Sequence, residues 1–201
     1  METFDELVKQ RIAKLESVRK QGADPYQTPF HRDGSIAQVL AQFSEGKSAR
    51  AAGRLTAWRA HAKSTFADLR DQDGRIQLHF SAEEMGEGPY AALSALDLGD
   101  IIGAEGTCFT TRTGEKTIKV KSWALLAKAI RPLPEKWHGL KDVEIRYRKR
   151  YLDLAANPAS RETFRARSRL VSGIRRFLDD RGFLEVETPM MSPRSSAERA
   201  A

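Results

Sequence analysis

Apolar positions follow two periods along this chain, and the change of period divides it. From Phe4 to Gln21, Leu7, Val8, Ile12, Leu15 and Val18 recur near the helical repeat among good helix formers, and Gly22, Asp24 and Pro25 end the run. Ser35 to Phe43 reads as a second, short helix, with Ser35 as N-cap and Val39, Leu40 and Phe43 buried. From Arg50 the period falls to two. Arg50 to Ala60 is a strand with Gly53 as a bulge or bend. Ser64 to Arg70 and Arg75 to Phe80 are the arms of a hairpin around Asp71-Gln72-Asp73-Gly74, where Asp makes the bend and Gly takes a positive φ. Pro89 to Leu96 fits a short helix opened by Pro. Ile101 to Thr111 and Thr117 to Leu126 are the fourth and fifth strands, turned by Arg112 to Lys116. On the fifth, Ile118, Val120, Ala124 and Leu126 alternate with Lys119, Lys121 and Trp123.

The hairpin fixes which residues share a face. Ile76, Leu78 and Phe80 lie on one side and Gln77 and His79 on the other; Thr65, Ala67 and Leu69 oppose Phe66, Asp68 and Arg70. A four-residue loop pairs Arg70 with Arg75, Asp68 with Gln77 and Phe66 with His79. A slip of one residue would turn Leu78 away from the face of Leu69. Phe66 then stands on the polar face with Gln77 diagonal to it at roughly 7 Å. A ring beside an amide, flanked by His and Arg, can stack an unpaired base and read its edge. The same Phe66 is also explained as satellite core under a helix or loop. Five strands with a helix between the third and fourth is the plan of an OB-fold barrel with flanking helices, a mainly β domain that takes oligonucleotides on its strand 2–3 face and its 1–2 and 4–5 loops. Phe66, Gln77, His61, Lys63 and Glu115, with Arg54 on the first strand, are the candidate RNA contacts.

Beyond the barrel the helical period returns. Arg131-Pro132-Leu133-Pro134 is a connector. Asp142 to Leu154 is a basic helical stretch, and Asn157-Pro158 opens a long helix with Asn as N-cap and Pro at N1. Phe164, Val171, Ile174 and Leu178 form its one apolar seam, Gly182 stops it, and Phe183 to Met191 reads as a strand. The expected divisions are a helical extension over 1–48, the barrel over 49–130, a linker over 131–157 and an incomplete domain over 158–201.

Composition changes this picture little. Of 34 Lys and Arg against 27 Asp and Glu in 201 residues, the excess sits late: residues 49–130 hold eleven basic and ten acidic, residues 131–201 sixteen and ten. A polyanionic partner is favoured overall, but bulk charge does not identify the barrel's ligand. On the first helix, Lys9, Arg11, Lys14, Arg19 and Lys20 form either a solvated face or an RNA-facing one. The single cysteine, Cys108, cannot close an intrachain disulfide, which fits a reducing compartment. With no bilayer-length apolar run and no signal-peptide core at the N-terminus, a soluble cytoplasmic chain without a membrane partner is expected.

Two blocks bring a family into view. STFADLRDQDGRIQLHF with DLGDIIGAEGTCFTTRTGE resembles the anticodon-binding OB domain of class II lysyl-tRNA synthetases. RPLPEKWHGLKDVEIRYRKRYLDL and FLDDRGFLEVETPMM resemble the linker and class II motif 1 of the same enzymes. The resemblance implies a lysine-accepting tRNA as partner, Phe66 as the base-stacking ring, Gln77 as the amide reading the middle anticodon base and Glu115 as the acidic reader. It implies motif 1 positions at Gly182, Phe183, Glu187 and Pro189, which in the family help build a dimer interface. A homodimer, or docking on a full-length subunit, follows. The second domain would then be the helix-and-strand start of an α+β catalytic domain.

In that family ATP and Mg²⁺ are handled by motifs that follow motif 1. This chain has no Gly-rich phosphate cradle, metal-ligand cluster or nucleophile triad, so it is expected to need no cofactor of its own and to lack aminoacylation activity alone. The segment 192–201, SPRSSAERAA, departs from the family's continuation; an interrupted gene and a sequencing error in an intact one both account for it. Three functions remain open: a tRNA-binding part of a lysine–tRNA ligase, a stand-alone RNA-binding module, and a non-functional remnant.

Overall fold

Five strands close into a barrel: β1 (Ser48–His61), β2 (Ser64–Arg70), β3 (Arg75–Ser81), β4 (Ile101–Thr110) and β5 (Lys116–Ala127), in the order β1-β2-β3-β5-β4. The computed structural model describes residues 4–26, 29–61, 64–133 and 140–190, and the chain divides into two units, Met1–Leu133 and Pro134–Ala201. Lys63, the connector residues 134–139 and the tail 191–201 lie outside the described residues. Every barrel pair is antiparallel except β3 with β5, where Gln77, Leu78 and His79 run parallel to Thr117, Ile118 and Lys119. The barrel is filled by the inward set: Leu55, Ala67, Leu69, Leu78, Phe80, Ile102, Ile118 and Val120 have no exposed surface.

The hairpin has the expected register, Arg70 with Arg75, Asp68 with Gln77 and Phe66 with His79. Its turn works differently from the sequence expectation. Gly74 does not take a positive φ; a Cβ there would come within 3.1 Å of Ile36 Cγ2 and 3.3 Å of Ala37 N, so glycine lets the turn approach them closely without displacing them. Asp71 shapes the bend, accepting from Asp73 N and Gly74 N through Oδ1 and from Ile36 N through Oδ2. That last bond ties the turn to helix α2 (Ile36–Ala41), whose N-cap Ser35 forms a full capping box with Gln38.

Three irregularities shift the alternation. In β1 the extra residue is Thr56, between the pairs Leu55–Leu69 and Ala57–Asp68. Gly53 is no bulge: its Cβ would lie 2.6 Å from Arg70 O, so it marks backbone contact. In β5 there are two extra residues, Lys121 and Leu126; the first makes Trp123 and Leu125 oppose Ala104 and Ile102, and Leu125, not Leu126, is buried.

Helix α1 (Phe4–Lys20) leans on the barrel unit with a polar bond at its centre. Arg11 is buried and donates to Ala129 O at 2.8 Å, Lys14 pairs with Asp97 at 2.7 Å, and Ile12 is left exposed. Two of the five cations that could have faced RNA are thereby committed to the fold. Lys128, fully buried, donates to Asp97 and Asp100 beneath them. Between β3 and β4 stand α3 (Ala82–Met85), which has no sequence forecast, α4 (Glu87–Ala91) and a 3-10 turn (Ala92–Ala95).

In the second unit the basic stretch breaks at Lys149 into α5 (Val143–Arg148) and α6 (Arg150–Ala156), followed by α7 (Pro158–Asp179). Asp153, fully buried, organises the three: Arg146 Nε donates to it at 2.7 Å, Asn157 Nδ2 at 2.6 Å, and Arg150 also donates. Asn157 therefore does not cap α7 with its side chain; it bonds Asp153 and Leu140 O instead. Burial alone would raise the Asp153 pKa, but hydrogen bonds from Asn157, Arg146 and Ser160 and the Arg146 charge outweigh it and hold the group at about 2. Along the α7 seam Phe164, Ile174 and Leu178 are exposed, Ile174 to 52%, Val171 is half-buried, and Phe177 beside the seam is 54% exposed. Gly182 leaves the helix at φ 80°, with Phe183 N returning to Leu178 O. The expected strand does not form: 183–189 is irregular and Leu184 and Val186 are exposed, since no strand among the described residues offers a ladder.

Candidate nucleic-acid interface

Parity and the β1 bulge decide what stands on the outer face of the barrel. Strict alternation from Leu55 would send Arg59 into the core. The extra residue Thr56 restores it to the outside, where Arg59 pairs with Phe66 and Trp58 packs inward on Phe80, ring centroids 5.9 Å apart. One open pocket on this face is lined by Arg59, Phe66, Gln77 and the turn residues Thr111, Arg112 and Thr113.

Phe66 is half-buried and held on edge by its neighbours. Its ring centroid lies 4.7 Å from that of His79 at 45° and 6.3 Å from that of His61 at 77°. His79 also meets Phe109 at 5.9 Å, and its Nδ1 is buried without a hydrogen-bond partner. Burial first, and then the Lys119 charge, push the His79 imidazole below its ordinary value, against the pull of Glu84. A tilted ring that resists protonation therefore backs Phe66.

Asp68 departs from the expected polar, solvent-facing role. It is buried to 4% exposure and grips two arginines, Arg59 Nη2 at 2.7 Å and Arg75 Nη1 at 3.1 Å. Arg75 continues to Glu115 at 2.6 Å, so the carboxylate of Glu115 is ion-paired beside the pocket and does not line it. Gln77 is fixed from below by Thr117, whose Oγ1 donates to Gln77 Oε1 at 3.0 Å.

The structure thus brings Phe66 and Gln77 into one pocket, sets His61 against the Phe66 ring and keeps Glu115 one ion pair away. Arg54 stands elsewhere on β1, donating to Gly99 O at 2.7 Å. Lys63 is outside the described residues. Of the second group, Gly182, Phe183, Glu187 and Pro189 all lie exposed at and after the end of α7. Sequence reasoning missed Arg59, Arg75 and Thr117. The signal for Arg59 was Trp58: an inward tryptophan beside an inward Leu55 requires one extra residue between them.

An open, aromatic-floored pocket rimmed by arginine and amide donors suits a flat, unpaired base carrying acceptor atoms. Comparison with known proteins gives a consistent answer. Residues 49–126 match a family model described as an OB-fold nucleic acid binding domain, and residues 142–201 match that of class II tRNA synthetases (D, K and N). The chain is 50% identical over 192 residues to the lysine–tRNA ligase of Carboxydothermus hydrogenoformans, covering 94% of this chain and 39% of the relative. It is 47% identical over 195 residues to that of Moorella thermoacetica (96% and 40%), and 48% over 192 residues to that of Syntrophomonas wolfei (94% and 39%). The chain thus spans about two fifths of the length of the curated relatives it matches.

Proposed function

From a chain that belongs to the class II lysyl-tRNA synthetase family over the part it spans, we propose that the barrel binds the anticodon of a lysine-accepting tRNA. The observation that carries this reading is the open pocket that Phe66, Gln77 and Arg59 share. Phe66 stacks an unpaired base, at roughly 1–3 kcal/mol for such a contact. Gln77 and Arg59 bond the base's edge, and the exposed Arg112 meets backbone phosphate near the turn. Glu115 acts through Arg75, or accepts from the base when that pair opens.

The ligase reaction itself, ATP-dependent attachment of lysine to tRNA, is the work of the whole enzyme in the cytoplasm. In it the described residues serve as the tRNA-reading part, and ATP and Mg²⁺ are assigned to no residue of this chain. Among the described residues no group of three or more His, Cys, Asp and Glu could hold a metal ion, and no described helix is long and apolar enough to cross a membrane. The exposed seam of α7 and the segment from Gly182 to Pro189 serve association with a second copy or a longer subunit.

Binding of the chain to anticodon stem-loops that differ only at the middle base, at one stated salt concentration, tests the reading. A uracil preference lost in Phe66→Ala is expected, with affinity falling about tenfold. Equal, salt-sensitive binding to every loop, unaffected by Phe66→Ala, would overturn it.

A further inference from the structure

We propose that Thr117 is a positioning residue that fixes the polarity of the Gln77 amide and so sets which base the pocket accepts; this rests on the base-reading function given above. Thr117 is fully buried on β5, the parallel partner of Gln77 across the β3–β5 seam. Its Oγ1 lies 3.0 Å from Gln77 Oε1 and 3.0 Å from the carbonyl of Glu115. A hydroxyl has one proton to give. The Glu115 carbonyl already accepts from Thr111 N at 3.0 Å, so it keeps a hydrogen bond whether or not it also receives that proton. The structure turns Gln77 Oε1 toward this hydroxyl, and we take the proton to serve Gln77, whose oxygen has no other hydrogen bond among the described residues, with no water reaching the fully buried hydroxyl to compete.

The consequence runs outward. With Oε1 turned to Thr117, the part of the amide left for a ligand is its two N–H donors. Arg59, held from behind by Asp68, presents donors too. A base that places a carbonyl opposite these groups is bonded. A base that places an amino group there sets donor against donor and leaves both unsatisfied, a mismatch that discriminates about tenfold or more. Uracil and cytosine differ in this way at position 4. If the hydroxyl is removed, the amide can turn over and offer Oε1 to the amino group. Discrimination then narrows, while stacking on Phe66 is untouched.

The test compares the full chain with Thr117→Val, which keeps shape and removes the hydroxyl, and Thr117→Ser, which restores it. Two readouts are taken. The first is binding to stem-loops with uracil or cytosine at the middle anticodon position. The second, without RNA, is the side-chain amide ¹⁵N relaxation of Gln77. The expected result is a preference for uracil of about tenfold or more, reduced to within about threefold in Thr117→Val and retained in Thr117→Ser, with the Gln77 amide more mobile only in Thr117→Val. A wild-type preference that Thr117→Val keeps in full overturns the inference while leaving base reading intact. A wild-type chain with no preference overturns base reading instead; the relaxation data then judge Thr117 alone, and an equally ordered Gln77 in Thr117→Val overturns its positioning role.

Discussion

The barrel and the long helix α7 carry apolar patterns of similar regularity, yet only the barrel buries its own. Phe80 and Leu78 have no exposed surface, whereas Phe177 and Ile174 are more than half exposed. The difference lies in topology. Closing a sheet gives every inward residue partners from neighbouring strands of the same short sequence. A single helix has to find its partner elsewhere. Periodicity therefore reports what a segment is built to bury, and only the fold says whether the partner lies within the chain.

Truncation of matched side chains puts the largest strain on that contrast. Phe80→Ala is expected to cost about 3–5 kcal/mol in urea unfolding, and Ile174→Ala no more than about 0.5 kcal/mol. An equal cost at Ile174 would mean the seam is covered in solution. The glycines extend the comparison. A Cβ at Gly106 would lie 2.0 Å from Lys119 O, whereas Gly173 within α7 has open space around it. Gly106→Ala is expected to destabilise by about 1–3 kcal/mol and Gly173→Ala to stabilise by about 0.5–1 kcal/mol, both measurable as shifts in Tm.

Acid sharpens the comparison by separating the two units along the pH axis. His79 has a lowered pKa, so the unfolded barrel binds its proton more readily; barrel stability falls as pH drops below the ordinary 6.5 and levels off below the folded value. Asp153 is also lowered, so its contribution is complete above 3.8 and is lost as pH falls through about 2. Aromatic near-UV signal from the barrel should weaken first, and helical signal from α5–α7 should survive to lower pH. His79→Phe is expected to abolish the first phase only. The smallest effect belongs to the exposed pair Arg175–Glu185, whose removal by Arg175→Ala should change stability by less than about 0.5 kcal/mol and vanish into salt.

Much of the barrel was legible from the chain because its signals were local. The hairpin register follows from one loop length and one face rule, and these alone set Phe66 and Gln77 on the same side. What was hidden depended on residues far apart. Burial of Asp68 needs Arg59 and Arg75 from two other strands. The close approach at Gly74 needs Ile36, and the β5 parity change at Lys121 is visible only against Gly106 and Glu105 on β4. Thr117 carried no motif; its importance comes from a parallel pairing that alternation cannot report. The strand read after Gly182 was a sound pattern with no ladder among the described residues to join.

The reach of Asp71 across to Ile36 has a meaning for the order in which the chain assembles. Helix α2 has six residues, too short to persist alone in water. The first backbone N–H of its opening turn is satisfied by a carboxylate that emerges 35 residues later in synthesis. The segment around α2 is therefore expected to set only after the β2–β3 hairpin has closed and turned that carboxylate toward it. The segment before the barrel is thus a late-setting clasp, and refolding of Asp71→Asn, which keeps the Oδ1 acceptor of the turn and replaces the Oδ2 acceptor of Ile36 N by a donor, should reach a formed hairpin with the clasp still open.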